Sequence, residues 1–284
     1  MRMRGIPSAI AEKRRPLLPG ELVVSWLGQA GFLMEFGCLR IVVDAYLSDS
    51  LARKYAGKEF PHIRMTPPPV APGALRDIDY VFASHGHTDH LDPDSVGPLH
   101  AANPGCRFVV PAAETETAEV RGLPRERLIP VDAGEKLDLG ENVSVDILAS
   151  AHETLRLDSR GRNFYLGFVF NFGGLVVYHS GDCVPYPALR ENLAAFRPLL
   201  ALLPVNGRDE YRGSRGIAGN FTLEEAVTLA EAAGCHWMLG HHHGLFDFNT
   251  IDREEASARL ATLRPDLSGR YILVSAGVEY RIGP

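Results

Sequence analysis

Short apolar runs recur along this chain, separated by segments rich in glycine, proline and charged residues. Runs of β-branched and aromatic residues with turn signals at both ends predict buried strands. We assign strands to residues 22–27, 31–36, 39–43, 78–83, 107–110, 143–148, 164–171, 175–182, 199–203, 235–239 and 270–282. The chain therefore opens as an antiparallel meander and continues with strands that are separated by longer connections.

Helices are predicted in those longer connections. Their start signals are Asp92-Pro93, the capping box that runs from Thr222 to Glu225, and Asp252 followed by acidic residues. We assign helices to residues 93–102, 112–120, 186–196, 222–234 and a last one from 252. Alternating strands and helices predict an α/β protein with a layered sandwich.

The densest chemistry of the chain follows the predicted strand 78–83. Three histidines and two aspartates lie within the nine residues Ser84-His85-Gly86-His87-Thr88-Asp89-His90-Leu91-Asp92. Histidines two positions apart on a tight turn can converge on one ion through neutral ring nitrogens, while an adjacent Asp-His pair points the other way. Two neighbouring metal sites are the natural interpretation, and a solvated polar loop is the alternative.

Other predicted strands also end in residues that can bind a metal. These residues are Asp44, His152, Asp182 and the run His241-His242-His243. A single histidine at a strand end is more often a satisfied polar residue than a ligand, and Asp44 could simply cap a turn. Their combination with the first cluster favours ligation.

The pattern Ser-His-x-His-x-Asp-His after a hydrophobic strand resembles the signature of the metallo-β-lactamase superfamily. The similarity extends over nearly the whole chain and is greatest to the branch that contains L-ascorbate-6-phosphate lactonase. It rests further on Trp26-Leu27-Gly28, on Tyr178-His179-Ser180-Gly181-Asp182 and on the last histidine segment, where Gly240 replaces the branch's proline. The resemblance implies a four-layer αββα sandwich with mixed sheets and a metal site at strand ends between them.

The resemblance also implies a ligand set. His85, His87 and His152 would hold one ion, Asp89, His90 and His242 the other, and Asp182 would bridge them. His242 is chosen over His241 by its spacing to Gly244 and Phe246, and Asp44 would hold a metal-bound imidazole.

Two such ions can lower the pKa of a shared water and present a bridging hydroxide to an electrophile, so hydrolysis is the expected chemistry, with Asp89 and Asp182 as the candidate catalytic carboxylates. Imidazole and carboxylate ligands without thiolate favour zinc, although manganese or iron accepts the same set. The sequence contains neither a Gly-x-Ser-x-Gly elbow nor a phosphate-binding Walker sequence. Metal-bound hydroxide is therefore the only evident nucleophile.

The segment 206–220 carries the candidate substrate residues. Arginines and glycines crowd it, and guanidinium groups donate in a planar fork to carboxylate or phosphate. Candidates for supporting or substrate contacts are Asn206, Arg212, Arg215, Asn220 and also His241, with Arg215-Gly216 matching an Arg-Gly pair of the lactonase. A solvated loop is the alternative interpretation.

The resemblance to the lactonase branch implies a small, anionic ester or lactone as substrate. The alternatives are a phosphodiesterase or nuclease of the same superfamily, and a protein of another class that binds metal as a sensor without turnover. A net charge of −6 argues against nucleic acid as the partner.

Length and composition complete the expectations. A metal centre with ligands spread along 284 residues favours one hydrolase domain over residues 21–284, after a flexible tail over residues 1–20. Four widely spaced cysteines and the lack of a signal-peptide pattern favour a cytoplasmic protein without a membrane segment. A homo-oligomer is compatible with the sequence. The long segment 51–75, which has no clear period, is expected to cover one side of the site or to be a plain surface loop.

Overall fold

The structure, a computed structural model, describes residues 1–283. Within them, fifteen strands form two sheets. The strands are β1 Arg2–Pro7, β2 Leu22–Gly28, β3 Gly31–Phe36, β4 Leu39–Val43, β5 Tyr80–Phe82, β6 Arg107–Pro111, β7 Leu128–Val131, β8 Lys136–Gly140, β9 Val143–Ala149, β10 Leu166–Phe172, β11 Leu175–His179, β12 Leu200–Pro204, β13 Trp237–His241, β14 Tyr271–Leu273 and β15 Val278–Gly283.

Seven α-helices connect or flank these strands in the described residues. They are α1 Ser50–Lys54, α2 Pro93–Ala102, α3 Thr115–Val120, α4 Leu189–Ala194, α5 Glu210–Gly213, α6 Leu223–Ala232 and α7 Arg253–Leu263. The predicted start signals are confirmed: the side chains of Asp92, Thr222 and Asp252 each accept a hydrogen bond from a backbone N–H of the first turn. None of the helices in residues 1–283 has the length and apolar character that crossing a bilayer requires.

Both sheets are mixed. The first has the order β1-β15-β2-β3-β4-β5-β6-β7 and the second has the order β14-β13-β12-β11-β10-β9-β8. Pairing is parallel from β4 to β7 in the first sheet and from β11 to β14 in the second, and antiparallel elsewhere. Parallel strands place their carboxyl ends along one edge of each sheet, which prepares that edge for a site.

Three apolar clusters define the layers. The largest joins the facing sides of the two sheets, with Phe32 and Phe82 of the first sheet among Phe168 and Phe170 of the second. The outer side of the first sheet packs against α2 and α3. The outer side of the second packs against α4, α6 and α7. The four-layer αββα sandwich expected from the sequence is therefore confirmed.

Two of the differences from expectation concern the ends of the chain. Residues 2–7, which we placed in a flexible tail, form β1 and pair with β15 along its whole length, so that part of the tail prediction is wrong. The closing strand predicted over residues 270–282 is two strands in different sheets, β14 beside β13 and β15 beside β2. A short link at residues 274–277 carries the chain from one sheet to the other.

Candidate metal centre

The candidate site lies where strands of both sheets end. In the first sheet, Asp44 follows β4, and His85, the first histidine of the cluster, comes three residues after the end of β5. In the second sheet, His152 lies beyond β9, Asp182 beyond β11, and His242 directly after β13. Sequence-distant ligand candidates are thus brought together by the edge at which the two sheets meet.

Ligand atoms from these loops form three overlapping groups. Each group has its nitrogen and carboxylate oxygen atoms within 4.8 Å of one another: His85 with His87 and His152, His85 with His90 and Asp182, and Asp89 with His90 and His242. The first and third groups are the two sets of three that the resemblance implied.

Asp182 lies between the two sets. Its Oδ2 atom is 3.4 Å from His90 Nε2 and 3.8 Å from His152 Nε2, and its Oδ1 atom is 3.3 Å from His242 Nε2. One carboxylate therefore faces imidazoles of both groups, as a bridging ligand would.

The donor set fits a cation because its buried polar atoms lack protein partners. Within residues 1–283, no hydrogen bond is made by His85 Nε2, His90 Nε2, Asp182 Oδ1 or either ring nitrogen of His242. Leaving several such atoms unpaired together costs free energy unless another group satisfies them. Divalent metal ions would do so with the chemistry these donors prefer.

Asp44 orients two of the imidazoles. Its carboxylate accepts hydrogen bonds from the Ser84 backbone N–H and hydroxyl, both at 2.7 Å, and it lies 2.9 Å from His90 Nδ1. The Ser84 hydroxyl in turn lies 3.0 Å from His85 Nδ1. With the Nδ1 atoms engaged, His85 and His90 both keep Nε2 for a metal, which is the arrangement that fixes a tautomer.

The loop after β11 must pass close to this support. Gly181 has φ +61°, and a Cβ at that position would lie 2.7 Å from Ser84 Cβ and 2.8 Å from the Leu166 carbonyl oxygen. Only glycine accepts both the backbone conformation and the close approach.

The three consecutive histidines have different surroundings. His242, in the left-handed region with φ +64°, is the one that faces Asp182. His241 is fully buried and stacks on His179 with ring centroids 5.4 Å apart. His243 packs against Trp26 at 5.1 Å. This geometry favours His242 as the ligand, in agreement with the spacing argument.

Burial controls the charge of one group of imidazoles. Desolvation lowers the pKa of His85 well below its ordinary value, lowers that of His87, and lowers that of His152 to about 4. These rings are therefore neutral at pH 7, the form in which imidazole binds a metal.

His90 behaves in the opposite way. Burial opposes its charged form, but the carboxylates of Asp182, Asp44 and Asp89 outweigh burial and raise the pKa of His90 well above its ordinary value. Burial likewise disfavours the Asp182 carboxylate, yet His242 and His90 hold the pKa of that group well below its usual range. The negative charge at the centre thus persists and attracts cations.

Two further residues support the centre, and we did not anticipate either from the sequence. Gln29 donates from Nε2 to Asp89 Oδ2 at 2.9 Å, and its carbonyl accepts from the His242 backbone N–H at 3.0 Å. Arg121 donates to the carbonyls of Gly86 at 2.7 Å and His87 at 3.3 Å. Gln29 directly follows the segment Trp26-Leu27-Gly28 and could have been noticed there, whereas nothing in the sequence around Arg121 links it to the ligand loop.

The ligand candidates open into a cavity of about 560 Å³. Its residues include His87, Asp89, His152, Asp182 and His242, together with Lys54, Tyr55, Lys58, Phe60, His62, Arg121, Arg215, Phe246 and Phe248. The segment after α1 therefore covers one side of the site, as expected.

The candidates in segment 206–220 divide into two sets. Arg215 lies at the cavity, where its Nε is 3.0 Å from Glu59 Oε1. Arg212 does not line the cavity: it donates to the Asn206 carbonyl and to the Asn249 side chain. Asn220 donates to the Asn206 side chain, so these three form a hydrogen-bonded cluster behind the cavity wall.

This fold and this cluster of histidines and carboxylates define a class of proteins, the αββα metal-dependent hydrolases. A family model described as a beta-lactamase superfamily domain matches residues 39–243. The chain therefore belongs to the metallo-β-lactamase superfamily.

Individual relatives agree with this assignment. The chain is 27% identical over 242 residues to a protein of Methanosarcina mazei named as a metal-dependent hydrolase, covering 83% of this chain and 89% of that one. It is 24% identical over 243 residues to N-acyl-phosphatidylethanolamine-hydrolyzing phospholipase D 1 of Caenorhabditis elegans, covering 81% and 66%. The solved structure of Igni18, a metallo hydrolase from Ignicoccus hospitalis, is similar in fold with a TM-score of 0.65 at 16% identity, covering 93% and 99%. The protein is a metal-dependent hydrolase of this superfamily.

Proposed function

We propose that this protein hydrolyses a small, anionic ester or lactone with two divalent cations held between its sheets. The observation that carries the proposal is the position of Asp182, whose two oxygens face imidazoles of both ligand groups. A carboxylate in that position can be shared by two cations.

The proposed ligands are His85, His87 and His152 for one ion, Asp89, His90 and His242 for the other, and Asp182 for both. When bound, such a pair activates water and polarises the bond to be cleaved. Zinc suits imidazole and carboxylate donors, and manganese or iron is compatible with them.

The protein's own residues would hold this arrangement. Asp44 fixes the tautomer of His90, and Gln29 fixes Asp89 by its hydrogen bond at 2.9 Å. Arg121 holds the carbonyls of the ligand loop from the cavity side. The neutral imidazoles of the first group leave the ligand atoms free without prior loss of a proton.

Charge at the cavity favours an anionic substrate. Lys54, Lys58, Arg121 and Arg215 line it, and Glu59 is the acidic residue that pairs with Arg215. Bound cations would add further positive charge beside the site carboxylates. A carboxylate or phosphate group on the substrate is therefore drawn toward the cavity, with Arg215 as its first partner.

The phosphodiester alternative is favoured by one finding, the similarity to a relative whose name assigns it a phospholipase D activity. A panel of lactones, aryl esters and bis-aryl phosphodiesters, assayed with zinc or manganese, separates the two. We expect esters or lactones to be hydrolysed fastest. Hydrolysis of phosphodiesters alone contradicts the proposal, and no turnover with bound metal supports a sensor.

Arg215→Ala tests the anionic part of the proposal. We expect this substitution to weaken the binding of an anionic ester by about 1.5–3 kcal/mol, the range for a hydrogen bond to a charged group. Binding of a neutral ester of the same size should not change. Lys13→Ala, a change in a basic residue remote from the cavity lining, serves as the control. Equal losses of binding affinity for both esters would show that Arg215 has only a structural role.

A further inference from the structure

One wall of the cavity is aromatic. Tyr55, Phe60, His62, Phe246 and Phe248 line it together with the metal-ligand candidates, and Lys54 Nζ lies 5.2 Å from the centroid of the Tyr55 ring. We call these five residues the aromatic wall. Metal coordination requires none of them, and a cavity of about 560 Å³ has the size of sites that enclose a whole small ligand.

The rings of the aromatic wall form one packed surface around His62. Its imidazole stacks on Tyr55 with centroids 4.2 Å apart, and meets Phe246 and Phe248 edge-on at 5.0 Å and 4.7 Å. Phe60 contacts Phe248 at 4.9 Å. Edge-on and stacked contacts are the arrangements that aromatic groups prefer, so the surface offers another ring the same choices.

Hydrogen bonds hold this surface in place. Segment 60–66 is joined to the loop after His242, since Met65 N–H donates to the Leu245 carbonyl at 2.8 Å and the Thr66 hydroxyl to the Gly244 carbonyl at 3.3 Å. Arg64 donates to the Tyr46 carbonyl at 3.1 Å and extends over its ring. The wall is therefore preformed, which reduces the entropy lost when a ligand binds.

The wall remains open to the cavity. Phe246 is buried, but the other four side chains are only half-buried, so apolar ring surface faces the space beside the metal centre. Covering that surface with an apolar group removes it from water and is favourable. His62 adds one polar atom, since its Nδ1 lies 2.6 Å from the Phe60 carbonyl and its Nε2 makes no hydrogen bond within residues 1–283.

We propose that the aromatic wall is the substrate subsite for a planar aromatic group attached to the carbonyl that the metal centre attacks. This inference rests on the proposed function and specifies its substrate: an ester or lactone of an aryl or arylalkyl carboxylic acid. Because Phe246 and Phe248 lie on the loop that follows ligand His242, the wall places the ring next to the reacting group, and the cationic residues line the same cavity.

Binding of product-like acids tests the subsite without requiring turnover. Affinities of phenylacetate, cyclohexylacetate and acetate are measured by calorimetry on the full chain, both metal-free and zinc-loaded. We expect phenylacetate to bind at least tenfold more tightly than acetate, and cyclohexylacetate to fall between them. Equal affinities of phenylacetate and acetate overturn the proposal.

Variants locate the binding. Phe248→Ala and His62→Asn should each reduce the preference for phenylacetate at least fivefold, and asparagine is chosen because it tolerates the positive φ of +53° at position 62. Phe196→Ala, in the apolar cluster under the outer helices of the second sheet, is the matched control and should keep the preference. Should Phe248→Ala fail to fold, His62→Asn decides alone. A preference that survives in folded variants of the wall overturns the assignment.

The failure of this inference and the failure of the proposed function give different results. A protein that binds phenylacetate selectively but hydrolyses no ester or lactone keeps the subsite and loses the proposed function. A protein that hydrolyses esters without preferring an aromatic acid keeps the proposed function and loses the subsite.

Discussion

Replacing Asp44 by asparagine tests how strongly the metal centre depends on its support. Asp44 is fully buried and accepts three contacts, two from Ser84 at 2.7 Å and one at 2.9 Å from His90 Nδ1. An asparagine oxygen can keep the contact with the Ser84 backbone N–H. Its NH₂ group then faces the Ser84 hydroxyl and the His90 Nδ1–H, both of which donate.

The expected loss follows from that mismatch. His90 must change tautomer or lose its orienting partner, and loss of such a partner lowers metal affinity about 10–100-fold, or about 1.4–2.7 kcal/mol. The unsatisfied buried donor should also lower the free energy of unfolding of the metal-free protein by about 1–3 kcal/mol.

Competition with a chromophoric chelator measures the affinity, and urea unfolding of the metal-free protein measures stability. Asp92→Asn is the matched control, because Asp92 is equally buried but accepts from Ser50 and Ser95 side chains at the start of α2. The control should lose stability and keep its metal affinity within about twofold. An Asp44→Asn protein with wild-type affinity would refute the supporting role.

Three other predictions follow from the site. His242→Ala should bind about one metal equivalent fewer by elemental analysis, while His243→Ala, which alters only the ring against Trp26, should retain both; the reverse result would exclude His242. The raised pKa of His90 keeps its imidazole protonated at pH 7 without metal, so zinc binding should release about one proton. Calorimetry would detect this proton as a binding enthalpy that depends on the buffer. A binding enthalpy that is the same in all buffers would contradict the protonated state of His90. Gly181→Ala should lower the free energy of unfolding by about 2–4 kcal/mol, because the new Cβ would strain the positive φ and overlap Ser84 at the start of the ligand loop. An unchanged urea midpoint would show that the backbone at Gly181 can relax.

Much of the fold was predictable because its signals are local. The strands β2 to β4 and the hairpin of β10 and β11 are apolar runs bounded by glycine turns, and the capping box of α6 is present as predicted. The division of the closing segment into two strands could not be predicted, because a continuous β-rich stretch gives no sign that β14 and β15 belong to different sheets. Pairing partners are chosen by tertiary packing.

The candidate site shows the same division. A dense cluster of histidines and aspartates indicates candidate metal ligands from sequence alone, so the spacing was enough to name His85, His87 and His90 as candidates. Arg121 could not, because it reaches the ligand loop only through the packing of α3 and the turn after it. Arg212 illustrates the converse: the composition of its loop suggested a supporting or substrate contact, and in the fold its side chain donates to the Asn206 carbonyl and does not line the cavity.

The proposed metal pair would take ligands from both sheets, since His85, His87, Asp89 and His90 follow β5 whereas His152, Asp182 and His242 come from the other sheet. Each cation would then crosslink the two sheets, and its binding free energy would stabilise the packing of one sheet on the other. At a free metal concentration 100 times the dissociation constant, one such site adds about 2.7 kcal/mol to the free energy of unfolding. Metal supply would therefore influence the stability of the folded molecule as well as its ability to react.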